Sequence, residues 1–197
     1  MKENQLTEIR SIKHSEFLHL NRNLIENNMP QKTHTWPKNT VLIASDSMFN
    51  NIEEHRLSKK HSVKVWCFSG ATVEDMFDYS TSLLRKKPDY IILHVGTNNA
   101  TNSPAESIFK NLTNLVSYIK NILPSVNITV SAPIIRSDNG KANLTIINLA
   151  SLIQKSGMDT MDNSNIHCEH LGKKGLHLNG KVTGRLAMNT INLIWKL

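Results

Sequence analysis

From residue 40 onward the chain is organised by five short apolar runs, each followed by a break of small or polar residues and then by a stretch with helical spacing. The runs fall at 41–44 (VLIA), 63–68 (VKVWCF), 90–95 (YIILHV), 127–131 (NITVS) and 158–161 (MDTM). They are short and flanked by turn residues, which predicts strands, with 90–95 the clearest buried one. The stretches after them predict helices over 48–57, 73–85, 104–123, 142–154 and 182–195. The clearest helical stripe belongs to 104–123, where Ile108, Leu112, Leu115, Val116, Ile119 and Ile122 share one face.

Strands alternating with helices predict an α/β protein, a three-layer α/β/α sandwich built on a parallel sheet. Five such strands joined by right-handed crossovers are expected in the flavodoxin-like order 2-1-3-4-5, with a ligand at the carboxyl ends of the central strands. The segments expected to carry chemistry are therefore Ser45-Asp46-Ser47, Ser69-Gly70 and Gly96-Thr97-Asn98-Asn99. Residues 1–38 read differently: they are polar, with Leu6, Ile9, Phe17, Leu20 and Leu24 in rough helical spacing that ends at Asn27-Asn28 and Pro30. They are expected to form a weakly helical or mobile extension ahead of a single domain over 39–197.

Composition narrows the class. Of 197 residues 39% are hydrophobic and 20% charged, as in ordinary globular domains. No apolar run approaches the roughly 18 residues a membrane span needs. The polar start MKENQLTEIR has no apolar signal core, and Cys67 and Cys168 are too few for a disulfide framework, so a cytoplasmic location with reduced thiols is expected. The net charge of +7 favours polyanionic partners, RNA among them, although the basic residues are scattered. His94, inside the third apolar run, reads as a core histidine, and His61, His167 and His170 have no metal-ligand spacing, so no metal or cofactor is expected. The absence of G-x-G-x-x-G and P-loop patterns argues against a nucleotide binder.

The three strand-end segments hold what acyl transfer needs. Ser47 stands where a strand turns into a helix, so its hydroxyl and the outward backbone N–H groups of the turn are available to a ligand. Gly70 lets main chain approach a ligand closely, and Asn98 supplies a neutral amide donor. His177, in GLHLN before the last helix, lies in a loop that can reach the same edge as a base.

VLIASDS, the glycine in FSGAT, HVGTNN and KGLHLNGKVTGRLA resemble, in order and spacing, the four blocks of the SGNH (GDSL) hydrolase superfamily, and together span Val41 to the C-terminus. Within that superfamily, DNSNI and HLGKKGLHLNGKVTGRLA resemble the esterase-type domains of animal LINE-type retrotransposons. The resemblance implies a carboxylic ester hydrolase acting on small acyl, notably acetyl, esters. Ser47 would be the nucleophile, His177 the general base, and the Ser47 N–H, Gly70 and Asn98 the oxyanion hole of a ping-pong acyl-enzyme mechanism.

Three positions depart from the superfamily's pattern. Ser45 stands where glycine is usual, which implies strain if its φ is positive. Asn99 replaces an aspartate, which is expected to remove a carboxylate from the rim of the site. Lys174 occupies the place of the triad aspartate, three residues before His177. Asp46 and Asp162 are the candidate replacements for that carboxylate, and the expected activity is slow. The alternative reading is a catalytically eroded domain that binds RNA through its basic surface, or another protein.

Overall fold

The computed structural model describes residues 39–136, 138–167 and 183–197. Strands β1 (Thr40–Ser45), β2 (Ser62–Cys67), β3 (Tyr90–His94), β4 (Asn127–Ser131) and β5 (Thr160–Met161) form one sheet in the order β2-β1-β3-β4-β5. Every pairing is parallel, with Val41 opposite both Val63 and Tyr90 and Ser45 opposite both Cys67 and His94. The expected fold class and strand order are both observed.

Alternate residues of each strand face opposite layers, because the side-chain period of a strand is two. Leu42, Ala44, Ile91, Leu93, Ile128 and Val130 face a core completed by α1 (Val73–Leu84), α2 (Ala105–Ile122) and α3 (Gly140–Lys155). Val41, Ile43, Val63 and Ile92 face a second core with Met48, Phe49, Ile52, Leu57 and Leu186 and Ile194 of α4 (Thr183–Ile194). The predicted stripe of α2 is buried at Ile108, Leu112, Leu115 and Ile119, whereas Ile122, in the last turn, is half exposed. A capping box begins α1: the Thr72 hydroxyl accepts from the Asp75 N–H, and the Asp75 carboxylate accepts from the Thr72 N–H.

One expected helix is absent. Residues 48–57 form two single 3-10 turns, η1 (Ser47–Phe49) and η2 (Glu54–Arg56), joined through Asn50-Asn51. The Asn50 and Ile52 N–H groups bond to the carbonyls of Ser47 and Phe49, three residues back, so the chain advances in tight turns. This spacing still buries Met48, Phe49, Ile52 and Leu57 in the second core, and burial decides over local periodicity. No helix among the described residues is long and apolar enough to cross a membrane. The N-terminal segment, Cys168, Lys174 and His177 lie outside the described residues.

Candidate active site

The connections after β1 and β3 leave the sheet in opposite directions, toward β2 and β4, and the carboxyl end of β2 lies beside that of β1. Such a switch point leaves a crevice in doubly wound sheets. At this edge β1 runs on by one more bond, from the Asp46 N–H to the His94 carbonyl at 3.0 Å. Asp46 then caps η1: its Oδ1 accepts the Met48 N–H at 3.0 Å. The capping duty that a serine after a strand often performs thus falls on the residue before Ser47. Ser47 is half exposed, while Asp46, Met48 and Phe49 around it are buried.

Ser45 carries no backbone strain. It is the last residue of β1, and among the described non-glycine residues only Lys87 has a positive φ. Its buried hydroxyl donates to the Asp46 carbonyl at 2.8 Å, so serine is accommodated where a tight turn would have called for glycine.

The loop after β2 turns at Gly70, whose φ of +81° suits glycine. The Ala71 N–H closes the turn on the Phe68 carbonyl at 3.0 Å. Among the described residues a Cβ at Gly70 would meet no atom within 4 Å, so none of them crowds this backbone. From the loop after β3, the Asn98 side-chain amide donates to the Ala71 carbonyl at 2.9 Å. That bond uses one of the two amide hydrogens and sets the direction of the other. Like Ser47, Asn98 is the half-exposed member of an otherwise buried stretch. The structure therefore brings Ser47, Gly70 and Asn98 to one edge of the sheet.

Asn99 is elsewhere than expected. It is buried, not on the rim, and ties η3 (Asn99–Thr101) to the start of α1. Its Oδ1 accepts the Val73 N–H at 2.9 Å and its Nδ2 donates to Glu74 Oε2 at 2.6 Å. An aspartate here could still accept from Val73 but would face Glu74 with two like charges, so the amide is what Glu74 requires. Asp162, a candidate supporting carboxylate, is exposed and engages Ser164 through both oxygens, to its N–H at 2.9 Å and its hydroxyl at 2.8 Å.

Buried polar side chains gather at the ends of β1, β3 and β4. Burial pushes the Asp46 carboxyl up to about 7, against the Met48 N–H, and its Oδ2 has no partner among the described residues. Burial pushes His94 down to about 4, which keeps its ring neutral. His94 Nδ1 lies 2.8 Å from Ser131 Oγ, which also accepts from Asn163 Nδ2 at 2.9 Å. The neutral ring and the Ser131 hydroxyl share one hydrogen bond, and Ser131, with two lone pairs and one proton, satisfies both His94 and Asn163. Asn163 also donates to the Ala132 carbonyl at 2.7 Å and accepts from Asn189 of α4 at 2.9 Å. The Cys67 thiol is pushed up to about 11 by burial and then by the nearby Asp46 charge, so it is a poor nucleophile at neutral pH.

Sequence reasoning missed one charged residue of this edge. Arg136, in the loop after β4, is buried, and donates from Nε and Nη2 to the two oxygens of Asp138 at 2.8 and 2.6 Å. Its Nη1 donates to the Thr97 carbonyl at 3.3 Å. The available signal was an arginine followed two residues later by an aspartate, at the end of the apolar stretch APII.

No protein-family model and no curated protein matches the chain. Solved structures do. A lipase/acylhydrolase from Enterococcus faecalis superposes with a TM-score of 0.67 at 16% identity, over 79% of this chain and 95% of that one. A member of the lipolytic G-D-S-L family from Veillonella parvula gives 0.67 at 11% identity, over 80% and 99%. An acetylxylan esterase from Geobacillus stearothermophilus gives 0.63 at 15%, over 79% and 94%. What the chain shares with them is the fold: a five-stranded parallel sheet in the order 2-1-3-4-5, flanked by helices, as in SGNH hydrolases.

Proposed function

We propose that this chain is a serine ester hydrolase of the SGNH kind that cleaves small acyl esters, acetyl esters among them. The observation that carries the reading is the convergence of Ser47, an open Gly70 backbone and an Asn98 amide, each from a different strand end, on one sheet edge. Similar folds among acylhydrolases and an acetylxylan esterase support it.

In this mechanism Ser47 Oγ attacks the ester carbonyl as the His177 imidazole takes its proton. The oxyanion that develops is met by the N–H groups of Ser47 and Gly70 and the second amide hydrogen of Asn98. Return of the proton expels the alcohol, and water deprotonated by the same imidazole releases the acid. By the resemblance Lys174 takes the place of the triad carboxylate, so the usual acceptor for the second nitrogen of His177 would be missing. Losing that carboxylate costs up to about 10⁴ in turnover, so slow hydrolysis is expected.

Hydrolysis of a chromogenic acetyl ester by wild type, Ser47→Ala and His177→Ala tests the reading, together with mass mapping of a fluorophosphonate adduct. Ser47→Ala should lose about 10² or more in rate, since triad losses are not additive, and all labelling. Equal rates for wild type and Ser47→Ala would remove the proposal. The net charge of +7 and Lys174 favour a second reading, an RNA-binding module, in which affinity for single-stranded RNA falls steeply with salt. A flat salt response would exclude it.

A further inference from the structure

We infer that Arg136 is a positioning residue for the oxyanion donor Asn98, acting through the main-chain carbonyl of Thr97. The inference rests on the hydrolase reading for its catalytic consequence. The anchoring itself stands on geometry alone.

Thr97 lies between Gly96, whose φ is +114°, and Asn98. Its carbonyl belongs to the peptide unit that leads directly into Asn98, so whatever holds that oxygen sets the plane from which the Asn98 side chain departs. Arg136 Nη1 is the donor to that oxygen. The guanidinium is itself locked: Asp138 takes Nε and Nη2 as a two-pronged fork, and the Arg136 N–H bonds to Asn143 Oδ1 of α3 at 3.1 Å. A planar fork held at two points presents its third nitrogen in one direction, which a lysine ammonium on a flexible stem does not do. The chain of constraint runs from α3 through Arg136 to Thr97, while the Asn98 amide is steered from the other side by the Ala71 carbonyl. Backbone and side chain of the donor are thus fixed from two different loops. A donor aimed at a developing oxyanion helps only if it is in place beforehand, and small displacements weaken it.

The test compares wild type with Arg136→Lys, Arg136→Met and Asp138→Asn. Two readouts are followed: acetyl-ester kinetics, and the amide resonances of Thr97 and Asn98, including the Asn98 side-chain NH₂. Arg136→Lys keeps the charge and loses the fork. It should shift the Asn98 resonances and lower kcat about 10- to 100-fold with KM within about twofold. Asp138→Asn, altered at a more exposed position, should give a smaller change in the same direction. Thermal unfolding of each variant shows that the comparison is made on folded protein, and Arg136→Lys and Asp138→Asn serve if Arg136→Met does not fold. Unchanged Asn98 resonances in folded Arg136→Lys and Asp138→Asn overturn the anchor, and a loss expressed wholly in KM overturns its role in aiming the oxyanion donor. If wild type and Ser47→Ala are equally inert, the hydrolase reading fails, and the resonances alone decide whether Arg136 anchors Asn98.

Discussion

The Asn98 amide hangs from the main-chain carbonyl of Ala71 at 2.9 Å, which ties the loop after β3 to the loop after β2. This one bond makes the geometry of two strand ends interdependent, and both carry oxyanion donors in the proposed mechanism. Asn98→Asp keeps the side-chain shape and removes both donated hydrogens. It is expected to lower kcat by about 10²–10³ and to cost about 1–2 kcal/mol of stability, since the Ala71 carbonyl loses its donor and meets an acceptor. Ester kinetics and urea unfolding measure the two effects separately. A variant with full activity would show that Asn98 faces no reacting atom.

Asp46 and His94 are expected to oppose one another in the pH dependence of stability. The Asp46 carboxyl titrates at about 7 in the folded protein against 3.8 ordinarily, so its contribution is greatest below pH 3.8 and is lost as pH rises through 7. His94 titrates at about 4 against 6.5, so its contribution is present above pH 6.5 and is lost as pH falls through 4. Each shift corresponds to roughly 3–4 kcal/mol, so between about pH 4 and 7 the two largely cancel. Asp46→Asn keeps the Met48 cap and should leave a protein that gains stability from pH 4 to 6.5. His94→Gln should leave one that loses stability from pH 4 to 7. Urea unfolding at several pH values reads the slopes, and parallel curves for all three proteins would contradict the opposition.

Two glycines at the same edge should respond differently to alanine. At Gly70 a Cβ meets nothing within 4 Å among the described residues, so the expected cost is that of the left-handed backbone, about 1–2 kcal/mol. At Gly96, with φ +114°, a Cβ would also lie 3.1 Å from Leu149 Cδ2 in the core, and roughly 2–4 kcal/mol is expected. Thermal unfolding ranks them, and Gly70→Ala as the more damaging change would contradict the argument.

Asn163 joins β4 to α4 through Ser131, Ala132 and Asn189. Asn163→Ala takes the donor from the Ala132 carbonyl, while the Asn189 amide keeps its bond to Asn165, and should cost about 1–3 kcal/mol. In Asn163→Asp the new carboxylate faces the Ala132 carbonyl, so its folded pKa is raised. That variant should therefore regain stability as pH falls, which urea unfolding at pH 5 and pH 8 detects. No difference between those two pH values would show that the carbonyl and the side chain do not share a buried site.

Much of the fold was legible because strand and helix signals are local. The runs at 41–44, 63–68 and 90–95 lie within β1, β2 and β3 or overrun them by one residue. The exception, the helix expected over 48–57, failed because four apolar residues can fill a core from two 3-10 turns as well as from a helix, and period alone does not distinguish them. At the site, Ser47, Gly70 and Asn98 were reachable from the rule that ligands gather at strand carboxyl ends. Asn99 was misplaced because an amide reads the same on a rim and against a buried helix start.

The order of elements, the parallel sheet and the three strand ends where chemistry gathers are written in local patterns, each within about twenty residues. Which polar groups meet is set by contacts far apart in the chain: Asn98 with Ala71 across 27 residues, His94 with Ser131 across 37, and Arg136 with Thr97 across 39. The physical reason is that a buried polar side chain is tolerated only by a partner on another element, and no local pattern records which partner that is.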